Sequence, residues 1–494
     1  MARTDAYDVV VIGGGSAALE AAISARQAGA ERVVALEKAP EPEFGGNARF
    51  SHTGFRFVHT GAGEVREFIP QIPEDTFRSM HIPPYTREQF LGDLQRVTQG
   101  RIDPSLAEAL VDHSNEAVHW MRQIGVPWEN DKTVKVDGKL YFEPGIYIHP
   151  VGGGLGMLEK LREIALERGV EIRYESRVRA ILGNDRAVDG LTVSGPTGEY
   201  DIAARSIIVC AGGFQANAEM RARYLGANAD LIKVRGSKHN TGEVLMMLLA
   251  LGAKAAGHWQ GAHMTPIDGA APAVETPVMH GGRGNSMNRY DYAYGITVNA
   301  LGERFYDEGE DKISYTYAKT GRAVLNQPGG VAYQLYDNRG IAMFRHGRDY
   351  PATVEEASSI RELAAKIGLE PDVLAHTVES FNKACRSDVP FDARKLDGKC
   401  TDGITPKKSN WAVPLVEPPF RAYPITAGVT FTFGGLQLNG RSQVLNTLNQ
   451  PIRGLFASGD IVGLFFHNYP SCTGQTRNAV FSMLAGRNAV ALSN

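Results

Sequence analysis

Four consecutive β-branched residues, Val9, Val10, Val11 and Ile12, break into Gly13-Gly-Gly15 and then into the helix-forming run Ser16-Ala-Ala-Leu-Glu-Ala-Ala-Ile23. An uninterrupted apolar run predicts a strand buried on both faces, the glycines a tight turn, and the alanine-rich run a helix. A second apolar run, Val33-Val-Ala-Leu36, predicts another buried strand, and Glu37 follows it. Farther along, residues 104–124 and 154–168 have helical periodicity, and Val170–Tyr174 reads as a strand closing a β/α unit. Ala204 to Val209 is again apolar and strand-like, leading through Cys210 and Ala211 to the pair Gly212-Gly213. Thr241-Gly-Glu243 is expected to cap the apolar helix Val244–Leu251. Tyrosines and glycines then crowd residues 280–317, a polar stretch runs from Asp388 to Pro419, and Tyr423–Asn494 returns to strand-like sequence ending in a helix over 474–492.

Length bears on domain count, since 494 residues exceed a usual single core. With 43% hydrophobic and 22% charged residues the chain has a globular composition, and a formal net charge of -3 with no basic run gives nucleic acid no footing. Its four cysteines are scattered without a C-x-x-C pair, so no zinc site or iron–sulfur cluster is expected and electrons would have to leave through a separate protein. The first strand begins within a few residues of Met1 and the longest apolar helix is too short to span a bilayer, so a cytoplasmic protein without leader or membrane span is expected.

The opening strand, turn and helix carry specific chemistry. Gly13 and Gly15 let the backbone approach a pyrophosphate without a Cβ in the way, Ala18 is the third small position, and the helix N-terminus offers unpaired N–H groups and a favourable dipole. Glu37 lies about 20 residues beyond the turn, where a carboxylate reaches a ribose hydroxyl, and favours FAD or NAD over NADP. Near the other end, Gly454-Leu-Phe-Ala-Ser-Gly-Asp460 repeats the pattern of an apolar strand ending in a small residue and an acid.

Taken with Gly45-Gly-Asn47, Ala211-Gly-Gly213 and Thr241-Gly-Glu243, these motifs follow the order and spacing of the fumarate reductase/succinate dehydrogenase flavoprotein superfamily, which the chain resembles over nearly its whole length. Gly302-Glu-Arg-Phe-Tyr-Asp-Glu-Gly309, Tyr315-Thr-Tyr-Ala-Lys319, Pro406-Lys-Lys-Ser-Asn-Trp-Ala412, Tyr423-Pro-Ile-Thr426 and His467-Asn-Tyr-Pro470 resemble the branch of tricarballylate dehydrogenases and CobZ-type flavoproteins. The resemblance implies an α/β fold: a Rossmann-like, glutathione-reductase-like FAD-binding domain built from residues 1–262 and 416–494, with an inserted α+β capping domain over 263–415. It implies that Glu37 takes the adenosine ribose, that Asp460 binds the ribityl or diphosphate part, and that the helix after Gly474 points at the flavin N1/C2 edge. Further cofactor contacts are expected from Ser16, Ala17, Lys38, Gly45, Gly46, Asn47, Val178, Ala211, Gly212, Gly213, Thr241, Gly242, Gly459 and Thr476. Ser51-His-Thr53 superficially resembles a site of covalent flavin attachment but is offset from it, so non-covalent FAD is expected.

His263, in Gly261-Ala-His-Met-Thr265, resembles the histidine that holds a substrate carboxylate in soluble fumarate reductases. Elsewhere the pattern departs. Eight positions after Arg304, fumarate reductases carry a proton-transferring arginine and ketosteroid Δ1-dehydrogenases a tyrosine, whereas this chain has Lys312. Thr430-Phe-Thr432 replaces a carboxylate-binding histidine, and the arginine before the last helix aligns with Gly474, with Arg477 one turn later. A fumarate or succinate specialist is therefore disfavoured. Desaturation needs a hydride acceptor, a base and electrophiles; FAD would be the first, Lys312 or Tyr315 the second, and Arg289, Arg477 and His263 the third. Lys312 reads equally as a solvated lysine, and Arg289 and Arg322 equally as structural cations. Three readings remain open: desaturation of a tricarballylate-like polycarboxylate, with enoate reduction as its reverse; desaturation of a cyclic ketone, which the tyrosines and Tyr469 favour; and a flavin-binding subunit without chemistry of its own.

Overall fold

The computed structural model describes residues 5–131, 134–136, 139–274, 287–344 and 353–492. Residues 280–286 of the aromatic-rich stretch lie outside them. An eight-stranded sheet is built around Asp5–Ile12, which pairs in parallel with Val33–Leu36 on one side and Gly198–Val209 on the other. Pro451–Ala457 continues the parallel run beyond Gly198–Val209, and Glu171–Arg173 continues it beyond Val33–Leu36. Being covered on both faces, the central strand needs apolar residues at successive positions rather than alternation, and Val9 to Ile12 are all buried.

Helix Ser16–Gln27 packs beside the terminal helix Thr473–Ala491, both against this sheet, and its first ten residues are all buried. Ser24 Oγ donates to the Met483 carbonyl at 2.8 Å and Ser482 Oγ to the Ala17 carbonyl at 2.9 Å. Gly486 permits that approach: a Cβ there would stand 2.5 Å from Ser24 Cβ. The two ends of the chain thus share one layer.

Residues 104–124 form two helices rather than one, Pro104–Asp112 and Ser114–Ile124. Asp103 caps the first through the amides of Ser105 and Leu106, with Pro104 in the first turn where its missing N–H costs nothing. The expected helix over 154–168 is Gly153–Glu167, followed by strand Glu171–Arg173.

A second, six-stranded sheet is organised by the 13-residue strand Phe420–Thr432, which pairs with Lys233–Val234, Ala262–Asp268, Val331–Tyr336 and Glu355–Ala357; Ile296–Asn299 lies beyond Val331–Tyr336. This sheet draws one strand from before residue 263 and its central strand from after residue 415, so its elements cross both boundaries expected from sequence. No helix among the described residues is long and apolar enough to cross a membrane.

Candidate active site

One large cavity runs from the opening glycine turn to the second sheet, enclosing about 2400 Å³ of empty space with its open mouth. At the turn, Gly13 has φ +125°, and a Cβ there would lie 2.5 Å from the Cys210 carbonyl oxygen. Gly14 is packed as closely, its missing Cβ falling 2.6 Å from Glu37 Oε2. Helix Ser16–Gln27 starts at Gly15 with no side-chain cap, leaving its first amides facing the cavity. The terminal helix begins the same way at Cys472, which adopts φ +67°, and Gly474 and Gln475 line the wall. Two uncapped helix N-termini thus converge on one space, an arrangement that suits pyrophosphate and an electron-rich ring edge.

Glu37 sits at the end of its strand, buried, with Oε1 accepting the Ala39 amide at 2.7 Å. Burial raises its pKa against the pull of that amide. Lys38 lines the cavity with its ammonium on Thr241 Oγ1 (2.8 Å) and Glu243, so Thr241 anchors a lysine instead of capping a helix; the cap position belongs to Gly242, in a left-handed conformation. Gly45, Gly46, Asn47, Val178, Ala211, Gly212, Gly242, Gly459 and Asp460 line the cavity with Ser16 and Ala17. Ala18, Gly213, Thr241 and Thr476 stand behind the wall. Thr476 holds the backbone of Arg56 there, and Gly213 backs onto Thr432 and Gln215. The glycine cradle, the strand-end carboxylate and the two open helix ends fit an FAD.

His52 lines the same cavity, with Nε2 2.9 Å from Asp131 Oδ1 and its ring 4.5 Å from that of His149. At the far end stand His263, Tyr317 and Tyr469. The hydroxyls of Tyr317 and Tyr469 are 2.6 Å apart, and Ser471 Oγ donates to Tyr317 at 3.4 Å. Burial raises the pKa of Tyr317, while the hydrogen bonds from Ser471 and Tyr469 pull it down. His263 is buried against the rings of Tyr317, Phe431 and Tyr469 at 5.0 to 5.3 Å, and neither ring nitrogen has a hydrogen-bond partner. Burial, helped by the charge of Arg235, holds its pKa well below the ordinary range, so the imidazole is neutral. Arg235 lines the cavity and donates to the Thr430 hydroxyl.

The other residues expected to do chemistry are placed differently. Lys312 is half-buried and outside the cavity wall, its amide bonded to Asp311 Oδ1 at 2.7 Å. Tyr315 is also behind the wall, donating to Asp93 at 2.7 Å and accepting from Arg56 at 3.1 Å, with a pKa pushed up to about 12 by burial. Arg289 forms a buried ion pair with Asp268. Arg477 pairs with Asp460, 5.4 Å from each of the Phe431 and Phe465 rings. Arg322 is spent on the carbonyls of Leu225 and Gln260. Sequence reasoning missed Tyr317, one of many tyrosines in its stretch, and Arg235, which no motif marks. Among the described residues no group of three or more His, Cys, Asp or Glu could hold a metal.

A sequence profile of the FAD binding domain family matches residues 8–475. The chain belongs to this family. Within it, the chain is a member of the fumarate reductase/succinate dehydrogenase flavoprotein superfamily and an FAD-dependent oxidoreductase. It is 27% identical over 504 residues to a probable fumarate reductase of Shewanella frigidimarina, covering 98% of this chain and 75% of that one. It is also 27% identical over 561 residues to a 4-oxocyclohexanecarboxylate 2-dehydrogenase of Sinomonas cyclohexanicum, covering 97% and 92%. The open conformation of a flavocytochrome c3 fumarate reductase superposes with a TM-score of 0.72 at 25% identity, over 100% of this chain and 79% of that one.

Proposed function

We propose that the chain is an FAD-dependent desaturase of a carbonyl-activated substrate, a cyclic ketone, introducing a C=C bond next to the carbonyl. In this reading the first sheet is a Rossmann-like, glutathione-reductase-like FAD domain and the second sheet a cap over the substrate. The observation that carries it is the Tyr317–Tyr469 hydroxyl pair on the cavity wall beside an unpartnered His263. FAD, when bound, supplies the hydride acceptor.

The chain's residues account for the remaining steps. Tyr317 takes the proton from the carbon next to the carbonyl; burial raises its pKa, and the hydrogen bonds of Tyr469 and Ser471 work against that rise. Neutral His263 can donate one ring N–H to the carbonyl oxygen, and the Arg235 charge stabilises the enolate-like oxygen as that proton leaves. The rings of Tyr317, Phe431 and Tyr469 around His263 make that end of the cavity apolar and suit an apolar ring substrate. The likeness to a ketone dehydrogenase over 97% of the chain supports the same class.

A second reading keeps the same residues and takes a tricarballylate-like acid to a cis-aconitate-like product or, in the reverse direction, reduces an enoate. It is favoured by Arg235 and the Thr430 hydroxyl beside His263, a set able to hold a carboxylate. In either reading the flavin is non-covalent and its electrons pass to a separate acceptor. Anaerobic titration of the holoprotein with cyclic ketones, 4-oxocyclohexanecarboxylate, tricarballylate and succinate decides between them. Bleaching of the flavin band by ketones, with an unsaturated ketone found by mass spectrometry, is expected; bleaching by the polycarboxylate alone would replace the first reading with the second.

A further inference from the structure

A single buried cation joins three stretches of chain beside the tyrosine pair. The Arg56 side chain is fully buried. Its amide donates to Thr476 Oγ1 at 3.1 Å, and the same hydroxyl donates back to its carbonyl at 2.8 Å. Nε donates to the Ser471 carbonyl at 2.9 Å, and Nη1 donates to the hydroxyls of Tyr85 (3.0 Å) and Tyr315 (3.1 Å). Both hydroxyls pass their own hydrogens to Asp93 Oδ2 at 2.7 Å, and that carboxylate lies 3.6 Å from Arg56 Nη1. Arg96 covers the Tyr315 ring at 4.4 Å and pairs with Asp93 and Asp311.

This network grips the chain two residues away from each hydroxyl of the pair. Tyr315 precedes Tyr317 by two, and Ser471 follows Tyr469 by two. The Ser471 amide donates to the Ser314 carbonyl at 2.8 Å, Asn468 donates to the Tyr315 carbonyl, and Ser471 Oγ reaches the Tyr317 hydroxyl itself. A buried arginine at a junction would be only a clamp if its bonds ended on remote backbone; apart from the bond to Tyr85, these end on the two segments that present the pair.

We propose that Arg56, Asp93 and Tyr315 form a positioning latch that closes residues 313–317 onto residues 468–476 and so sets the Tyr317 and Tyr469 hydroxyls within hydrogen-bond reach. The proposal rests on the reading of that pair as the proton-handling site. None of the three latch residues lines the cavity, so the latch acts on the reaction only through Tyr317 and Tyr469. Groups moved by about 1 Å from productive geometry lose on the order of 100-fold in rate.

Tyr315→Phe keeps the ring over which both arginines lie and removes one of the two hydroxyls that bridge Arg56 to Asp93, the one on the segment that carries Tyr317. In the FAD-loaded enzyme, kcat for the ketone that bleaches it should fall about 10- to 100-fold while KM stays within about twofold. The Tyr315→Phe/Tyr317→Phe double variant should be no slower than Tyr317→Phe alone, because one residue acts through the other. Multiplying losses, or unchanged turnover in Tyr315→Phe, would overturn the latch. Amide hydrogen exchange tests it without substrate: amides of 313–317 and 471–476 should exchange about tenfold faster in Tyr315→Phe, with those of 5–12 unchanged. Unchanged exchange over 313–317 would also overturn it. Asp93→Asn, at a partly exposed position, carries the same two tests if Tyr315→Phe does not fold. A holoprotein that no ketone bleaches would remove the functional reading and leave the exchange measurement to decide the latch.

Discussion

Glu20 is fully buried on the helix that opens the nucleotide cradle, and neither carboxylate oxygen has a hydrogen-bond partner. The nearby Ser482 hydroxyl is bonded to Ala17 and Ser458 instead. Burial pushes the Glu20 pKa up to about 8. A folded-state pKa above the unfolded one gives stability that is complete below the unfolded value, near 4.5, and lost as pH rises through 8. The wild-type melting temperature should therefore fall between pH 5 and 8, and Glu20→Gln should flatten that fall, by up to on the order of 4 kcal/mol at pH 8. Parallel melting curves for the two proteins across this range would refute it. Tyr317→Phe removes the proposed proton acceptor without changing the ring and should cost about 100-fold or more in kcat with FAD content unchanged. That Glu37 and the cradle glycines come together on one wall was legible in the sequence, because two buried parallel strands bring the residues that follow them to the same edge of the sheet. Tyr317 was not, since its partner Tyr469 is 152 residues away and only the fold brings the hydroxyls together.

At the scale of elements, the parallel strands announced themselves as apolar runs, and the terminal helix fell within a residue of where the sequence put it, at Thr473–Ala491. The helical stretch 104–124 hid its break because both halves keep an apolar face; the break falls at His113, whose φ -96° and ψ 0° leave the helical range, rather than at a glycine or proline. Thr241 looked like a helix cap on residue type alone, but the Lys38 ammonium, 203 positions earlier, claims its hydroxyl. Lys312 was expected from its offset to Arg304, yet the 3-10 turn Ile313–Tyr315 that follows it leaves it outside the wall while Ile313, Ser314 and Tyr317 face in. The strand-to-helix turn offers the clearest element-level test. Gly13→Ala adds a methyl 2.5 Å from the Cys210 carbonyl at a left-handed φ, so the strands carrying these residues must part. A loss of about 2 to 4 kcal/mol is expected, together with loss of bound FAD after gel filtration. Retention of one FAD per chain with an unchanged melting temperature would show that the cradle is not built on this contact.

For the whole molecule, the cavity joins residues from both chain ends and from the second sheet, segments that meet only after folding. The strand Phe420–Thr432 pairs within the second sheet, while Pro451–Ala457, later in the same C-terminal stretch, pairs within the first. A cofactor held by backbone amides and a strand-end carboxylate needs no covalent link. His52, the residue that could suggest one, is engaged by Asp131, with its ring 4.5 Å from that of His149. Acid precipitation should therefore leave a colourless pellet and a yellow supernatant, whereas a yellow pellet would establish covalent attachment. The stripped protein should regain stability on adding FAD by RT ln(1 + [FAD]/Kd), about 4 kcal/mol at a thousandfold excess over Kd. Because the cavity is lined by both helix N-termini and by the second sheet, that gain should appear as one cooperative transition moving to higher temperature. Two transitions, only one of them shifted by FAD, would mean that the two sheets unfold separately and that the cofactor does not bind them into a single unit.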